Sequence, residues 1–317
     1  MSIATNVGKK TIWLVNSTIN TSLLVVILIL LTFAGYAMWD TRQVNQAADA
    51  TRYEKYKPNL EDESASFEEL RAINPEVFAW LTIYGTHIDY PVAHSPDNNL
   101  KYVNTDAFGN YSLSGAIFLD SKNNPDFTDF NNILYGHHME KQTMFGEIGL
   151  FAEKSYFNAR KYGMLYFDGK EHGIEFFTLS QTDAYNSRVF HANIIGEEAQ
   201  QEYLDLLYEL SLHSHEGVQV TIDDNLVLLS TCSEVTTNGR DILVGRLTDE
   251  LFSDPFYKEA VAPAPITVIN IDHLSELITQ MPLWVKLVIV LLLLLLIIGI
   301  ITIIRTSRKR KRRNMQA

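Results

Sequence analysis

Cys232 is the only cysteine in the 317 residues, and it stands at the end of an apolar run, Asn225-Leu-Val-Leu-Leu-Ser-Thr-Cys232. Eight residues later Arg240 opens a second β-prone run, Asp241–Leu247, after an Asn238-Gly239 pair that suits a hairpin turn. A thiol is mostly protonated at neutral pH, with an ordinary pKa of about 8.5. To act as a nucleophile it needs a base or cation beside it and a donor for the oxyanion that forms after attack. Arg240 is one such cation. The conspicuous imidazole site is Tyr135-Gly-His137-His138-Met139, directly after the run Asn131–Tyr135. Were that strand to persist to Met139, the adjacent histidines would point to opposite faces. Only one could then face a cleft, and the pair could not ligate one ion. Each residue alone has a plainer reading: a small buried hydrophobe for Cys232, a structural or metal-binding pair for the histidines, a solvated charge for Arg240.

The elements that must carry these residues are short and β-prone. Runs at Ala79–Tyr84, His87–Pro91, Gly115–Asp120, Asn131–Tyr135, Gly163–Phe167, Gly173–Tyr185, Gly217–Ile222, Asn225–Thr231 and Asp241–Leu247 alternate with Gly, Asn and Asp. About eight strands so punctuated predict an antiparallel sandwich or small barrel. Two helical inserts interrupt them, one over roughly 143–159 and one at Glu197–His213, where Leu204, Leu207, Tyr208 and Leu212 recur at helical spacing. Ser66-Phe-Glu-Glu69 reads as a capping box opening a short helix that stops before Pro75.

Two apolar runs bracket this core. Ile19–Trp39 carries no charge over a length of about 31 Å as a helix, the thickness of a bilayer core. Lys9 and Lys10 precede it and favour a cytoplasmic N-terminus, with a cleaved signal peptide as the rival reading. Leu287–Ile304 is the second run, followed at once by the basic cluster Arg305–Arg313, a cytoplasmic marker. The organisation expected is a cytoplasmic N-terminus (1–18), a membrane helix (19–39), a stalk with N-terminal helices (40–75), a catalytic barrel (76–250), a connector (251–282), a second membrane helix (283–304) and a basic cytoplasmic tail (305–317). The net charge of −12 hides an uneven distribution, because residues 40–285 hold 16 basic against 38 acidic residues. So acidic a middle argues against nucleic-acid binding, which needs a basic face.

Together the motifs resemble one family. Leu229-Ser-Thr-Cys232 with Arg240 resembles the Leu-x-Thr-Cys…Arg motif of sortases, and Tyr135-Gly-His137-His138-Met139 their Gly-His motif. The segments Trp80-Leu-x-Ile-x-Gly-Thr-x-Ile-Asp-Tyr-Pro-Val92, Asn99-x-x-Tyr102, Gly115-x-Ile-Phe-Leu-Asp120 and Thr143-Met-Phe-Gly146 are similar to class B sortases, as is the helix between two late strands. The resemblance covers roughly residues 60–250. It departs at Leu228, where members usually have Thr, and in the second membrane helix, which is commoner in the pilus-building class C.

The resemblance implies an eight-stranded sortase-type β-barrel, flanked here by two membrane helices. It also implies a membrane-anchored cysteine transpeptidase of a Gram-positive bacterium, with its catalytic domain outside the cell and both termini cytoplasmic. Cys232 would attack the carbonyl of a Thr in a C-terminal sorting signal of a surface protein or pilin. His137 would protonate the leaving amine and later deprotonate the incoming one, and Arg240 would stabilise the oxyanion. Ser230, which shares a face with Cys232 on a regular strand, and Asn99 would contact the peptide, and His138 would take a supporting place. The acceptor would be an amine of a cell-wall precursor or a pilin lysine. No metal or organic cofactor is implied. A cysteine endopeptidase using the same pair, and an inert surface module with a buried thiol, are the alternatives.

Overall fold

The chain begins with one continuous helix, α1 (Ile3–Ala47). A computed structural model describes residues 3–58, 65–232 and 238–257. Residues Val15–Ala47 of α1 are long and apolar enough to cross a membrane, by length and composition. Apolar side chains from Val15 to Trp39 stand exposed along it, as they would on a helix made for an apolar surround. The expected second membrane helix (283–304), the basic tail and all but the start of the connector lie outside the described residues.

The expected stalk folds onto the barrel. After Ala47 the chain makes two short 3-10 turns, Ala50–Arg52 and Glu54–Tyr56. Ala48, Tyr53 and Tyr56 are buried in the main core. Arg52 donates from Nη1 to the carbonyl of Ala47 (2.8 Å), satisfying an orphan acceptor at the C-terminus of α1. Helix α2 (Ala65–Ile73) begins one residue before the anticipated cap. Ser66 therefore lies inside its first turn, and its hydroxyl donates instead to the carbonyl of Lys57 (3.1 Å).

Nine strands follow among the described residues: β1 (Val77–Ile83), β2 (Asp89–His94), β3 (Ile117–Leu119), β4 (Asn131–Tyr135), β5 (Tyr162–Phe167), β6 (Lys170–Asp183), β7 (Ser211–Ser214), β8 (Leu226–Cys232) and β9 (Gly239–Thr248). Eight of them close into a barrel in the order β5-β1-β2-β3-β4-β8-β9-β6, with β6 returning to β5. The ninth, β7, extends the sheet from β6 beyond the end of β5. Most pairs are antiparallel, but β2–β3 and β4–β8 run parallel. Closure removes the open edges that would otherwise template aggregation.

Alternation along β8 and β9 separates two cores. Val227, Leu229 and Leu243 point into the barrel with Trp80, Leu165 and Phe176. Leu226, Leu228, Ile242 and Val244 point outward and pack under helix α4 (Glu197–Glu209) through Tyr203, Leu204, Leu206 and Leu207. Leu228, the position that departs from the family pattern, is 1 % exposed in this outer core. A larger apolar side chain is accommodated there by packing.

The structure corrects further expectations. Helix α4 stops at Glu209, so Leu212 lies in β7 and is exposed, as Tyr208 is on the helix, while Tyr203 and Leu206 supply the buried face. Gly217–Ile222 is irregular; the edge of β6 takes Ser211–Ser214 instead, where Thr178 Oγ1 donates to Ser211 Oγ (2.8 Å). The insert over 143–159 is not one helix but a turn, a 3-10 segment (Ile148–Ala152) and a short helix, α3 (Lys154–Ala159). Close approach explains the break. A Cβ on Gly146 would lie 2.3 Å from the carbonyl oxygen of Met139.

Candidate active site

Topology brings the three expected groups to one end of the barrel. Parallel pairing aligns the C-terminal ends of β4 and β8, with Tyr135 opposite Ser230. His137 follows the end of β4, and Cys232 is the last residue of β8. Antiparallel pairing then returns the N-terminal end of β9 to the same level, with Cys232 directly opposite Arg240. Such partners have Cα atoms about 5 Å apart. The anticipated turn residue Gly239 is itself in β9, paired with Asp183 of β6.

His137 is held from two sides. Its Nε2 lies 2.8 Å from the carbonyl oxygen of Val103. A carbonyl only accepts, so Nε2 carries the proton and Nδ1 is the nitrogen left to take or give one. Its own carbonyl accepts from the N–H of Phe145 (3.0 Å), folding residues 136–146 into a tight loop. Gly136 makes that fold possible, since a Cβ there would lie 2.6 Å from the ring of the fully buried Phe145. His138 pairs instead with Met144 through its backbone. Its ring borders Gly149 together with Asp241 Oδ2, at 3.9 and 3.7 Å from where a Cβ on Gly149 would sit. The two histidines thus have different surroundings.

A groove of about 380 Å³ opens at this end, lined by Asn99, Leu100, Val103, Phe118, Tyr135, Gly136, His137, Ala184, Phe190, Ser230, Thr231 and Arg240. Four of the five expected site residues therefore share one cavity, and the fifth is Arg240's partner in the ladder. Phe118, Tyr135, Phe190 and Leu100 give the groove an apolar wall; Asn99 and Ser230 add polar groups. This mixture suits a small organic or peptide segment. Ser230 Oγ is buried and makes no hydrogen bond among the described residues. Such an unpaired hydroxyl costs stability unless something binds it.

Asn99 is already oriented. Its Oδ1 accepts from Ser121 N (2.9 Å) and its Nδ2 donates to Asp120 Oδ2 (3.0 Å), leaving one amide N–H for a ligand. Tyr135 OH donates to the same Asp120 oxygen (3.0 Å). Burial first, and then the Asp120 charge, push the Tyr135 phenol far above its ordinary pKa, so it remains a donor. Tyr135, Asp120 and the Val103 carbonyl were not among the residues expected to matter. Asp120 ends the Gly115-x-Ile-Phe-Leu-Asp120 motif, which was a usable signal; Ala184 and Phe190 carried none.

Among the described residues no group of three or more His, Cys, Asp or Glu could hold a metal ion. No family model matches the chain. Sortase B of Staphylococcus aureus is 28% identical over 237 residues, spanning 71% of this chain and 93% of that protein. Among solved structures, sortase B from the type II pilus of Streptococcus pneumoniae is 41% identical, with a TM-score of 0.50 over 58% of this chain and 99% of that one. Clostridium perfringens sortase B is 34% identical, with a TM-score of 0.55 over 58% of this chain and all of that one. Identity at this level across nearly the whole of both solved chains, on a shared eight-stranded barrel, places this chain in the sortase family of cysteine transpeptidases, beside its class B members.

Proposed function

We propose that Cys232 is the nucleophile, His137 the general acid and base, and Arg240 the oxyanion-stabilising cation of a membrane-anchored transpeptidase acting on C-terminal sorting signals. The observation that supports this most is one groove lined by both His137 and Arg240, with Cys232 opposite Arg240 in the ladder. The thiolate adds to the scissile carbonyl, and the C–N bond breaks as protonated His137 gives its proton to the leaving amine. The thioester is then attacked by an incoming amine, which loses a proton to His137 as the C–S bond breaks. Arg240 offsets the negative charge on the tetrahedral oxygen in both steps. Ser230 and Asn99 hold the peptide backbone.

Helix α1 is the anchor, with the N-terminus cytoplasmic and the barrel outside. Tethering confines the enzyme to the surface where its membrane-borne substrates lie and so raises their effective concentration. Pilin subunits are the favoured substrates. The 41% identical relative comes from a pilus, and a 39% identical structure from Streptococcus pyogenes is of a class B sortase involved in pilus biogenesis. A lysine of a second pilin would then be the acceptor, rather than a cell-wall precursor.

The test is to incubate the full chain with a sorting peptide and either amine, and to identify products by mass spectrometry. Amide product that requires Cys232, His137 and Arg240 is expected. Product formed by Cys232→Ala, or hydrolysis indifferent to added amine, refutes the mechanism.

A further inference from the structure

The loop that carries His137 is joined, through one hydroxyl, to the foot of α1. Met144 lies in that loop with a φ of 51°, the left-handed region that a non-glycine residue enters only at a cost. It is 2% exposed, so no solvent offsets that cost. Its N–H donates to Tyr90 OH (3.0 Å), and the same hydroxyl donates to the carbonyl of Ala48 (2.8 Å), directly after the end of α1. Tyr90 belongs to strand β2, is 2% exposed, and lies edge-on to Tyr53. A rigid strand thus presents a single hydroxyl that accepts from the histidine loop and donates to the membrane-proximal segment.

The rest of the loop hangs on this point. Met144 pairs with His138 across the loop, and the next residue, Phe145, donates to His137 O. Glu147, buried two residues further on, accepts from His87 N (2.6 Å) and from His87 Nδ1 (2.9 Å). Those bonds fix the loop's far end to the turn before β2, whereas the N–H of the strained Met144 donates to Tyr90 OH.

We propose that Tyr90 is a positioning residue for the catalytic imidazole, and that its hydroxyl makes the placement of His137 depend on the segment joining the barrel to α1. This rests on His137 being the catalytic acid and base. Without the hydroxyl, the Met144 N–H loses its acceptor, the left-handed turn relaxes, and His137 moves relative to Val103 O and the groove. Peptide binding is left largely intact, because Asn99, Ser230 and Tyr135 stand on other elements.

The experiment uses the full chain in detergent micelles, with a sorting peptide and a saturating amine. Tyr90→Phe keeps the ring and deletes the hydroxyl. Ser180→Ala serves as control, because it removes an equally buried hydroxyl-to-carbonyl bond (to Leu207 O, 2.7 Å), one that joins strand β6 to helix α4. Tyr90→Phe is expected to lower kcat about tenfold or more with KM unchanged, and to shift the limb of the pH–rate profile owed to His137. Ser180→Ala should match its loss of Tm without either effect. Equal kcat in the two variants, with His137→Ala inactive, overturns the inference alone. An active His137→Ala overturns the site assignment on which it rests. Hydrogen exchange in the unaltered chain needs no variant. The Met144 amide should exchange far more slowly than the amides of the exposed residues Lys141 and Gln142, and equal rates would refute the link.

Discussion

Replacing Gly136 by alanine tests whether the imidazole is placed by packing. The added methyl would lie 2.6, 2.8 and 3.1 Å from Cδ2, Cγ and Cε2 of Phe145, where carbon atoms ordinarily keep about 3.5–4.0 Å. The shortfall is about 1 Å at its worst. Phe145 cannot absorb it cheaply, because its ring is fully buried and its N–H is bonded to His137 O. Nor can residue 136 retreat freely, since its own N–H donates to Ser230 O (3.2 Å). A shift of about 1 Å would carry His137 Nε2 from 2.8 Å to beyond hydrogen-bond range of Val103 O. Overpacking of this kind costs about 1–3 kcal/mol, and a 1 Å misplacement of a catalytic group costs about 10²-fold in rate. Gly136→Ala should therefore stay folded with a lower Tm and a kcat about 100-fold down. Gly217→Ala, where a Cβ meets nothing within 4 Å, should change neither. Amide formation from a sorting peptide and amine, read alongside a thermal melt, makes the measurement. A Gly136→Ala enzyme with unchanged kcat and Tm would refute the reasoning.

Deleting the Ser230 hydroxyl removes a buried group without a partner among the described residues, so Ser230→Ala should leave stability equal or slightly higher while raising KM for the peptide; a fall in Tm with KM unchanged would contradict the reading. Arg246 forms a two-bond ion pair with Glu175 (2.9 and 2.7 Å), well down β9 from the groove. Arg246→Ala should cost about 1 kcal/mol in denaturant unfolding and leave kcat intact, whereas Arg240→Ala should abolish turnover without a comparable loss of stability. His94 and His215 are both held below the ordinary histidine pKa by burial, and each has a buried Nε2 without a partner among the described residues. Their unfolded forms bind protons that the folded forms refuse. Stability is then full above the ordinary histidine pKa of about 6.5 and falls as pH drops below it, a slope that thermal melts should show and that His94→Leu with His215→Leu should flatten.

The barrel was legible because alternation survives in strands buried on one or both faces, and Asn131–Tyr135 emerges at its anticipated bounds. What failed shares a physical cause. Gly217–Ile222 has the composition of a strand but no edge to join, while Ser211–Ser214, with little β character, lies against the free half of β6. Local preference yields to the available partner. Residues 143–159 read as helix because close approach of Gly146 to Met139 O is a tertiary fact. His137, Arg240, Asn99 and Ser230 were found as motif residues, and the groove gathers them. Tyr90, Asp120 and the Val103 carbonyl act through hydrogen bonds between segments distant in sequence. Tyr90 reaches Ala48 and Met144, 42 residues back and 54 ahead.

The division between what is rigid and what is tethered follows from the same architecture. Strand β8 is apolar on both faces, with Val227 and Leu229 inside and Leu226 and Leu228 outside. A slip of one residue against β4 or β9 would exchange the two sets and is opposed by both cores at once. The height of Cys232 relative to Arg240 is therefore fixed by the sheet, in one hairpin that no loop movement alters. The imidazole is different. It rides past the end of β4 on a loop whose shape depends on a glycine under a phenylalanine ring, a left-handed methionine and a tyrosine hydroxyl. Two of the three groups are thus set by strand register and one by packing and a shared hydrogen bond. Perturbations should segregate accordingly: changes in the sheet cores act on stability first, and changes around Gly136, Met144 and Tyr90 act on proton transfer first.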